Sequence, residues 1–261
     1  MDKDFDRLVA RASDPNLIPG IYNYCDRRCP RCPFNERCLS FLDNRDLEAQ
    51  HGPLDDVPLA ATIERSLRRT IEFIREVAER EGFDLPAISP DEAPAVDSKR
   101  ERHDPLAVRA REYAAMTHTI VQALEPIVAL RGDADLTEAV DVIAWFSTLL
   151  APKICRAIAS HADLWEDPDE VQSDANGSAK VARLGIAESR RAWGVLMEAG
   201  KAMADGVPAR AVQMLDDLDR QLDERFPRAM DFVRPGFDEP AVAAGALTDL
   251  PPFAPRAKLS R

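Results

Sequence analysis

Four of the five cysteines in this chain lie between residues 25 and 38, as Cys25, Cys29, Cys32 and Cys38, in the spacing C-x3-C-x2-C-x5-C. Four thiolates this close together are typical ligands of a tetrahedral zinc ion or of a [4Fe–4S] cluster, in which each iron takes one thiolate. Charge does not separate these centres, because Zn²⁺ and a [4Fe–4S]²⁺ core each leave four thiolates with a net charge of about −2. The segment therefore predicts one metal centre, with redox dithiols as a third interpretation.

The spacing favours the iron–sulfur cluster over zinc. Structural zinc sites usually pair two C-x2-C steps from separate segments, whereas this run contains one such step, from Cys29 to Cys32. We therefore expect a [4Fe–4S] cluster, with one Zn²⁺ as the alternative. Tyr22 and Tyr24 precede the first cysteine, and we expect them to shield the centre from water or to anchor its loop. Four arginines are expected to act as counter-charges for the thiolates: Arg27, Arg28, Arg31 and Arg37.

The segment from Cys29 to Cys38, CPRCPFNERC, resembles the C-x2-C-x5-C end of the iron–sulfur loop in the endonuclease III and adenine glycosylase family. In that family the first cysteine stands seven residues before the second, whereas Cys25 stands four residues before Cys29. The chain also lacks the Leu-x-Gly-x-Gly of a helix–hairpin–helix motif. The resemblance implies a cluster and not a glycosylase.

Two further resemblances involve the same residues. The spacing Cys25-x3-Cys29-x2-Cys32 matches the radical S-adenosylmethionine family, in which three cysteines bind a cluster with one open iron. Cys38 would close that fourth position, and the helix-rich chain lacks the alternating strands of a (β/α) barrel. The stretch IYNYCDRRC, which begins at Ile21, resembles an uncharacterised group of bacterial proteins with a cysteine-rich N-terminus. That resemblance implies bacterial origin and no particular activity.

The chain is acidic, with a net charge of −12 at pH 7. Such a chain gains no counterion release from nucleic acid and is not attracted to an anionic bilayer, so we expect neither nucleic acid nor a membrane as partner. A protein partner is possible, and the sequence leaves the oligomeric state open. The first residues contain no apolar signal segment, and no uninterrupted apolar run approaches the ~18 residues of a membrane helix. We therefore expect a cytoplasmic protein, in which reduced thiols favour metal over disulfides.

Apolar residues at helical spacing predict an all-α fold, a helical bundle of four or five helices with up-and-down connectivity and a cysteine-rich N-terminal cap. In the first helix, a stripe that includes Ile63, Leu67, Ile71 and Ile74 is expected to face the bundle core. Residues 43–58 are polar and are expected to form turns. The predicted helices are 59–81, 105–132, 136–161, 178–204 and one that begins at Pro208.

The sequence predicts three regions. Residues 1–58 form the cysteine-rich, metal-binding cap, and residues 59–233 form the bundle, interrupted by a mobile linker at 84–103 that contains three prolines. Residues 234–261 are rich in proline and alanine and are predicted to be a disordered tail. The chain is long enough to fold around an apolar core without metal.

A second candidate site lies in the bundle and would make the protein an enzyme rather than a metal-binding accessory protein. Glu188 falls on an apolar stripe, and His118 and Asp141 lie near inward faces, so these residues could form an enzyme active site. The simpler interpretation pairs Glu188 with Arg191 one turn further on. Residues 174–180, DANGSAK, could bind an anion where they open a helix, although an ordinary capped turn is favoured.

Overall fold

The computed structural model describes residues 10–11, 13–52, 59–82, 84–85, 103–162, 170–199 and 207–239. These ranges contain α-helices and short 3₁₀ helices but no strands, which confirms the predicted all-α class. The α-helices, numbered in chain order, are α1 Leu39–His51, α2 Leu59–Glu81, α3 Pro105–Arg131, α4 Ala134–His161, α5 Asp174–Ala199 and α6 Val207–Arg225. The 3₁₀ helices are Ile21–Asn23, Cys29–Arg31, Asn35–Arg37 and Ala229–Asp231.

The chain divides into two compact units. The first contains residues 1–22, 29–85 and 234–261, and the second contains residues 23–28 and 86–233. Helix α2 therefore belongs to the same unit as α1, whereas the sequence pattern grouped it with the bundle. Residues 23–28, which include Cys25, belong to the unit that contains the bundle.

The second unit is a four-helix bundle. Helix α4 packs against α3 and α5, and α6 packs against the same two helices, so each helix contacts its neighbours in a closed ring. Burial of apolar side chains inside this ring supplies the main stabilisation. The largest side chains that are fully buried there are Trp193, Tyr113, Phe226, Ile143, Leu150, Ile154, Ile186, Leu215, Leu218 and Leu222.

Capping residues define the ends of the bundle helices close to where the sequence predicts them. Asp104 caps α3 by accepting the N–H of Leu106 at 3.0 Å, and Pro105 occupies the first turn. Gly132 ends α3 with a φ of 64°, a conformation that glycine adopts without a steric cost. Asp133 then caps α4.

Two helix assignments differ from the prediction. Residues 43–51, which were predicted to form turns, are part of helix α1. The helix ends at Gly52, which has a φ of 83° and whose N–H donates to Glu48 O at 2.8 Å. Helix α5 begins at Asp174 rather than at residue 178, because the hydroxyl of Ser173 accepts the N–H of Asn176 at 3.2 Å.

The apolar stripe of α2 does not face a core, which corrects the prediction. Ile63, Leu67, Ile71 and Ile74 are each between 47% and 58% exposed. Within the described ranges, no other helix packs extensively against α2. The amphipathic pattern therefore identified the helix and its apolar side correctly but did not identify what covers that side.

The first residues of the predicted tail are ordered in the first unit. A Cβ at Gly236 would lie 2.9 Å from Ile18, and the ring of Phe237 packs edge-on against Phe34 with centroids 5.2 Å apart. The prediction of a disordered tail is therefore wrong for residues 234–238. The remainder of that tail and most of the predicted linker lie outside the described residues.

Helix α4 is long and apolar enough, by length and composition alone, to cross a membrane. Half of its most apolar window is buried inside the protein, as in the core helix of a bundle. Its inward side chains include Ile143, Leu150 and Ile154. The burial of these side chains inside the bundle therefore accounts for the apolar composition of α4.

Candidate metal centre

Cys29, Cys32 and Cys38 lie on short turns of the first unit. Cys29 opens a 3₁₀ turn, and the N–H of Cys32 donates to its carbonyl at 3.1 Å, so the C-x2-C step is one tight turn. Cys38 is buried beside Ile18 and Ile21, immediately before α1. Cys29 and Cys32 are half-buried.

Cys25 is buried in the second unit, where bundle side chains hold the backbone on both sides of it. The ammonium of Lys153 donates to Asn23 O at 2.6 Å. The indole N–H of Trp145 donates to Asp26 O at 2.7 Å. Both donors come from α4, so one helix fixes the residues that flank this cysteine.

Tyr24 gives the same segment a third attachment. Its hydroxyl donates to the carboxylate of Asp174 at 3.0 Å, and its ring lies 4.6 Å from the ring of Phe232. The interpretation of Tyr24 as an anchor is thereby confirmed. Gly177 lies beneath the two rings, where a Cβ would come within 2.4 Å of Tyr24 and 2.7 Å of Phe232.

Asp174 also accepts hydrogen bonds from side chains of α4. The guanidinium of Arg156 binds both carboxylate oxygens, at 2.6 and 2.7 Å, and the hydroxyl of Ser160 donates at 2.7 Å. Burial alone would raise the pKa of Asp174, but the hydrogen bonds from Arg156, Ser160 and Tyr24 outweigh it and hold that pKa below its usual value.

Residues 174–180 are not arranged as an anion site. Asp174 at the head of α5 is itself an anion paired with Arg156. Lys180 is buried, and its ammonium donates to the carbonyls of Phe232 at 2.6 Å and Met230 at 3.1 Å. The lysine therefore fixes the chain after α6, and residues 174–180 form the first turns of α5 rather than the capped turn that the sequence favoured.

Two of the cysteine sulfurs accept backbone N–H groups. The N–H of Phe34 donates to Cys32 Sγ at 3.4 Å. The N–H of Arg27 donates to the Cys25 sulfur, and Arg27 adopts a left-handed conformation with a φ of 61°. In each case the donor stands two residues after the cysteine. A backbone N–H directed at a sulfur is a contact that a metal-bound thiolate accepts.

Burial raises the pKa of the Cys25 thiol. The N–H and the guanidinium of Arg27 and the ammonium of Lys153 all act against that rise without cancelling it. Cys25 is therefore a buried thiol surrounded by groups that would compensate the charge of a thiolate.

Lys153 is the main residue of the site that sequence reasoning missed. Its side chain is buried, and burial lowers its pKa to about 8, against the opposing influence of the Cys25 thiol. The sequence signal was a single lysine between Pro152 and Ile154 on an otherwise apolar face of a core helix. A charge in such a position needs a specific partner.

The arginines near the cysteines have more varied roles than the predicted one of counter-charge. Arg28 lies 3.8 Å from Glu138, and the guanidinium of Arg37 donates to Asn16 O at 2.9 Å. Arg28 therefore pairs with a carboxylate of α4, whereas Arg37 braces the backbone of the first unit. The charge of Arg27 acts on Cys25 as expected, and Arg31 is exposed.

The thiols do not form a ready-made ligand set. No disulfide joins any of the five cysteines, all of which lie within the described ranges. Across the described part of the chain, no three His, Cys, Asp or Glu side chains come close enough together to hold a metal ion. This includes Cys29, Cys32 and Cys38, which belong to one unit. The donor chemistry therefore fits zinc or an iron–sulfur cluster, and Cys29, Cys32 and Cys38 would have to approach one another to bind either.

The second candidate site, in the bundle, receives no support. His118, Asp141 and Glu188 are all exposed. Glu188 forms an ion pair with Arg191, one turn away on α5, which confirms the simpler interpretation. These residues are therefore solvated surface groups rather than a buried acid–base cluster.

Comparison of the chain with protein-family models, with curated proteins and with solved structures gave no match. The resemblances of the cysteine-rich segment remain predictions. The interpretation of the site therefore rests on the residues and contacts of this chain.

Proposed function

We propose that Cys25, Cys29, Cys32 and Cys38 bind a [4Fe–4S] cluster in a cytoplasmic bacterial protein with an accessory role in redox chemistry or sensing. A bound cluster would supply a one-electron redox centre whose potential depends on nearby charges and hydrogen bonds. Zn²⁺ is the competing occupant, and it would make the centre structural, as part of a protein-interaction module.

The observation that carries this proposal is the pair of N–H···S hydrogen bonds at Cys25 and Cys32. A backbone amide directed at a sulfur stabilises negative charge on that sulfur and tunes the metal that the sulfur binds. An inert cysteine in an apolar core would need no such donor. Two donors at the same offset in one cysteine-rich segment support a role for these thiols as thiolates.

The charges around Cys25 support the same proposal. Burying a thiolate in a protein interior requires compensating positive charge. Lys153 and Arg27 both act electrostatically on Cys25, and both favour its charged form. Because four thiolates around either centre carry a net charge of about −2, these cations would also stabilise the loaded site.

Metal and sulfide analysis tests the proposal directly. The full chain would be purified without oxygen beside Cys29→Ser and a matched control, Cys155→Ser, which removes the half-buried cysteine of α4. We expect about four irons and four sulfides per chain, with broad visible absorbance, in the parent and in Cys155→Ser. We expect their loss in Cys29→Ser.

Each other result has a defined meaning. One zinc per chain without sulfide, lost in Cys29→Ser, would replace the iron–sulfur cluster by the structural zinc centre. Equal metal content in all three proteins would show that Cys29 is not a ligand. No metal in any of them, even after reconstitution with iron and sulfide or with zinc, would refute the metal centre.

A further inference from the structure

Helix α2 presents an apolar stripe to solvent. Ile63, Leu67, Ile71 and Ile74 recur at spacings of four, four and three residues, which places them on one side of the helix. All four are about half exposed, whereas Ala78 at the end of the same stripe is buried. A contiguous row of exposed aliphatic side chains is typical of a surface that another helix covers.

The charges of α2 are distributed unevenly along its length. Residues 59–70 contain three arginines and one glutamate, whereas residues 71–81 contain four glutamates and two arginines. The N-terminal half of the helix is therefore basic and its C-terminal half is acidic. Two copies of α2 placed antiparallel would therefore set opposite charges against each other.

We propose that α2 binds α2 of a second copy of this chain in antiparallel orientation, with the two apolar stripes in contact. The two-fold axis would lie close to the middle of the stripe, between Leu67 and Ile71. Such an interface is isologous, so each copy would contribute the same residues. The proposal is independent of the metal centre.

Charge complementarity favours a second copy in this orientation. Antiparallel pairing sets the basic half of each helix against the acidic half of the other, whereas parallel pairing would set like halves together. The 23 residues of α2 extend over about 34 Å, long enough for both pairs of halves to meet. The ion pairs Glu64–Arg68 and Glu76–Arg80, both at 2.8 Å, lie within the helix and leave the apolar stripe uncovered.

Sedimentation velocity of the full chain over a range of concentrations tests the proposal. The parent is expected to form a dimer, and the double variant Leu67→Glu/Ile71→Glu is expected to be monomeric, with at least a tenfold weaker association. The matched control is Leu130→Glu, because Leu130 of α3 is 90% exposed and lies outside the stripe. Unchanged circular dichroism would show that each variant still folds.

The dependence on salt identifies the orientation. For antiparallel helices, added salt screens the attraction between opposite halves and weakens the dimer. A dimer that strengthens with salt would have like halves together and would overturn the antiparallel arrangement. The variant Glu72→Arg/Glu76→Arg leaves the stripe intact, and we expect it to weaken the dimer at low salt.

Two further results would overturn the proposal. One is a parent that stays monomeric up to about 100 µM, which would leave the α2 face to a different partner or to none. The other is a dimer that persists in Leu67→Glu/Ile71→Glu, which would place the interface elsewhere. The Cys29→Ser variant is expected to dimerise like the parent, so the outcome for the metal centre does not decide this one.

Discussion

The buried ammonium of Lys153 should make the stability of the protein depend on pH in an unusual direction. Only 7% of the residue is accessible, and its Nζ donates to Asn23 O at 2.6 Å. Burial lowers the pKa from 10.5 to about 8. Between these two values the unfolded chain keeps its proton on Lys153 while the folded protein releases it.

The size of the effect follows from this difference in pKa. One unit corresponds to about 1.4 kcal/mol, so the change from 10.5 to about 8 corresponds to about 3 kcal/mol. Because the unfolded state binds more protons, the free energy of unfolding rises with pH across this interval. Below pH 8 both states are protonated, and the folded state bears the full cost of the buried charge.

Urea unfolding of Lys153→Met at several pH values measures this contribution. Both proteins would carry Cys25→Ser, so that the neighbouring thiol neither titrates nor binds metal. At pH 7 the methionine removes the cost of the buried charge but also loses the hydrogen bond to Asn23 O, and these two effects oppose each other. The change between pH values is therefore the diagnostic quantity.

From about pH 7 to pH 10.5, Cys25→Ser should gain about 3 kcal/mol of stability relative to the double variant with Lys153→Met. Parallel stability curves for the two proteins would refute the reasoning, because they would show that Lys153 has the same proton affinity in the folded and unfolded states.

Two further predictions concern the second unit. Gly177→Ala should destabilise the protein by about 1–3 kcal/mol, because the added Cβ would overlap the rings of Tyr24 and Phe232. The control Gly194→Ala, whose Cβ would enter open space, should stabilise the helix by up to about 1 kcal/mol. Thermal unfolding of both variants measures the difference, and equal shifts in Tm would contradict the prediction. Asp174→Asn should weaken the loss of stability at acid pH. The folded-state pKa of Asp174 is lowered, so its carboxylate stabilises the protein at neutral pH and this contribution is lost as pH falls through that pKa. Urea unfolding from about pH 6 to pH 3 measures the free energy of unfolding, and the same pH dependence in parent and variant would show that the carboxylate contributes nothing.

The helices were largely predictable because their ends and faces are encoded locally. Asp104-Pro105 and Gly132 delimit α3 by capping chemistry that a sequence displays directly. Helix α1 was missed because its residues after Leu42 are mostly polar and show no apolar stripe. The sequence also contains Gly52, which ends α1, but a glycine next to a proline was equally compatible with a turn.

The site was less predictable because its contacts join residues that are far apart in sequence. Lys153 and Asn23 are separated by 130 positions, and a lysine that binds a backbone carbonyl leaves no motif. Gly236 and Phe237 pack in the first unit despite a proline-rich composition. The stripe of α2 shows the same limit, since periodicity reveals an apolar side but not the partner that covers it.

The attachment of the segment around Cys25 is more elaborate than folding of the bundle alone requires. An apolar residue at position 153 would cover the core without the cost of a buried charge. Instead, Lys153 and Trp145 bind the carbonyls of Asn23 and Asp26 and so fix the backbone on each side of Cys25. Side chains that bind backbone in this way specify the conformation of a segment rather than merely covering it. These contacts position a single buried thiol and place cations near its sulfur. Such positioning is expected of the metal ligand that we propose, and an inert core cysteine does not need it.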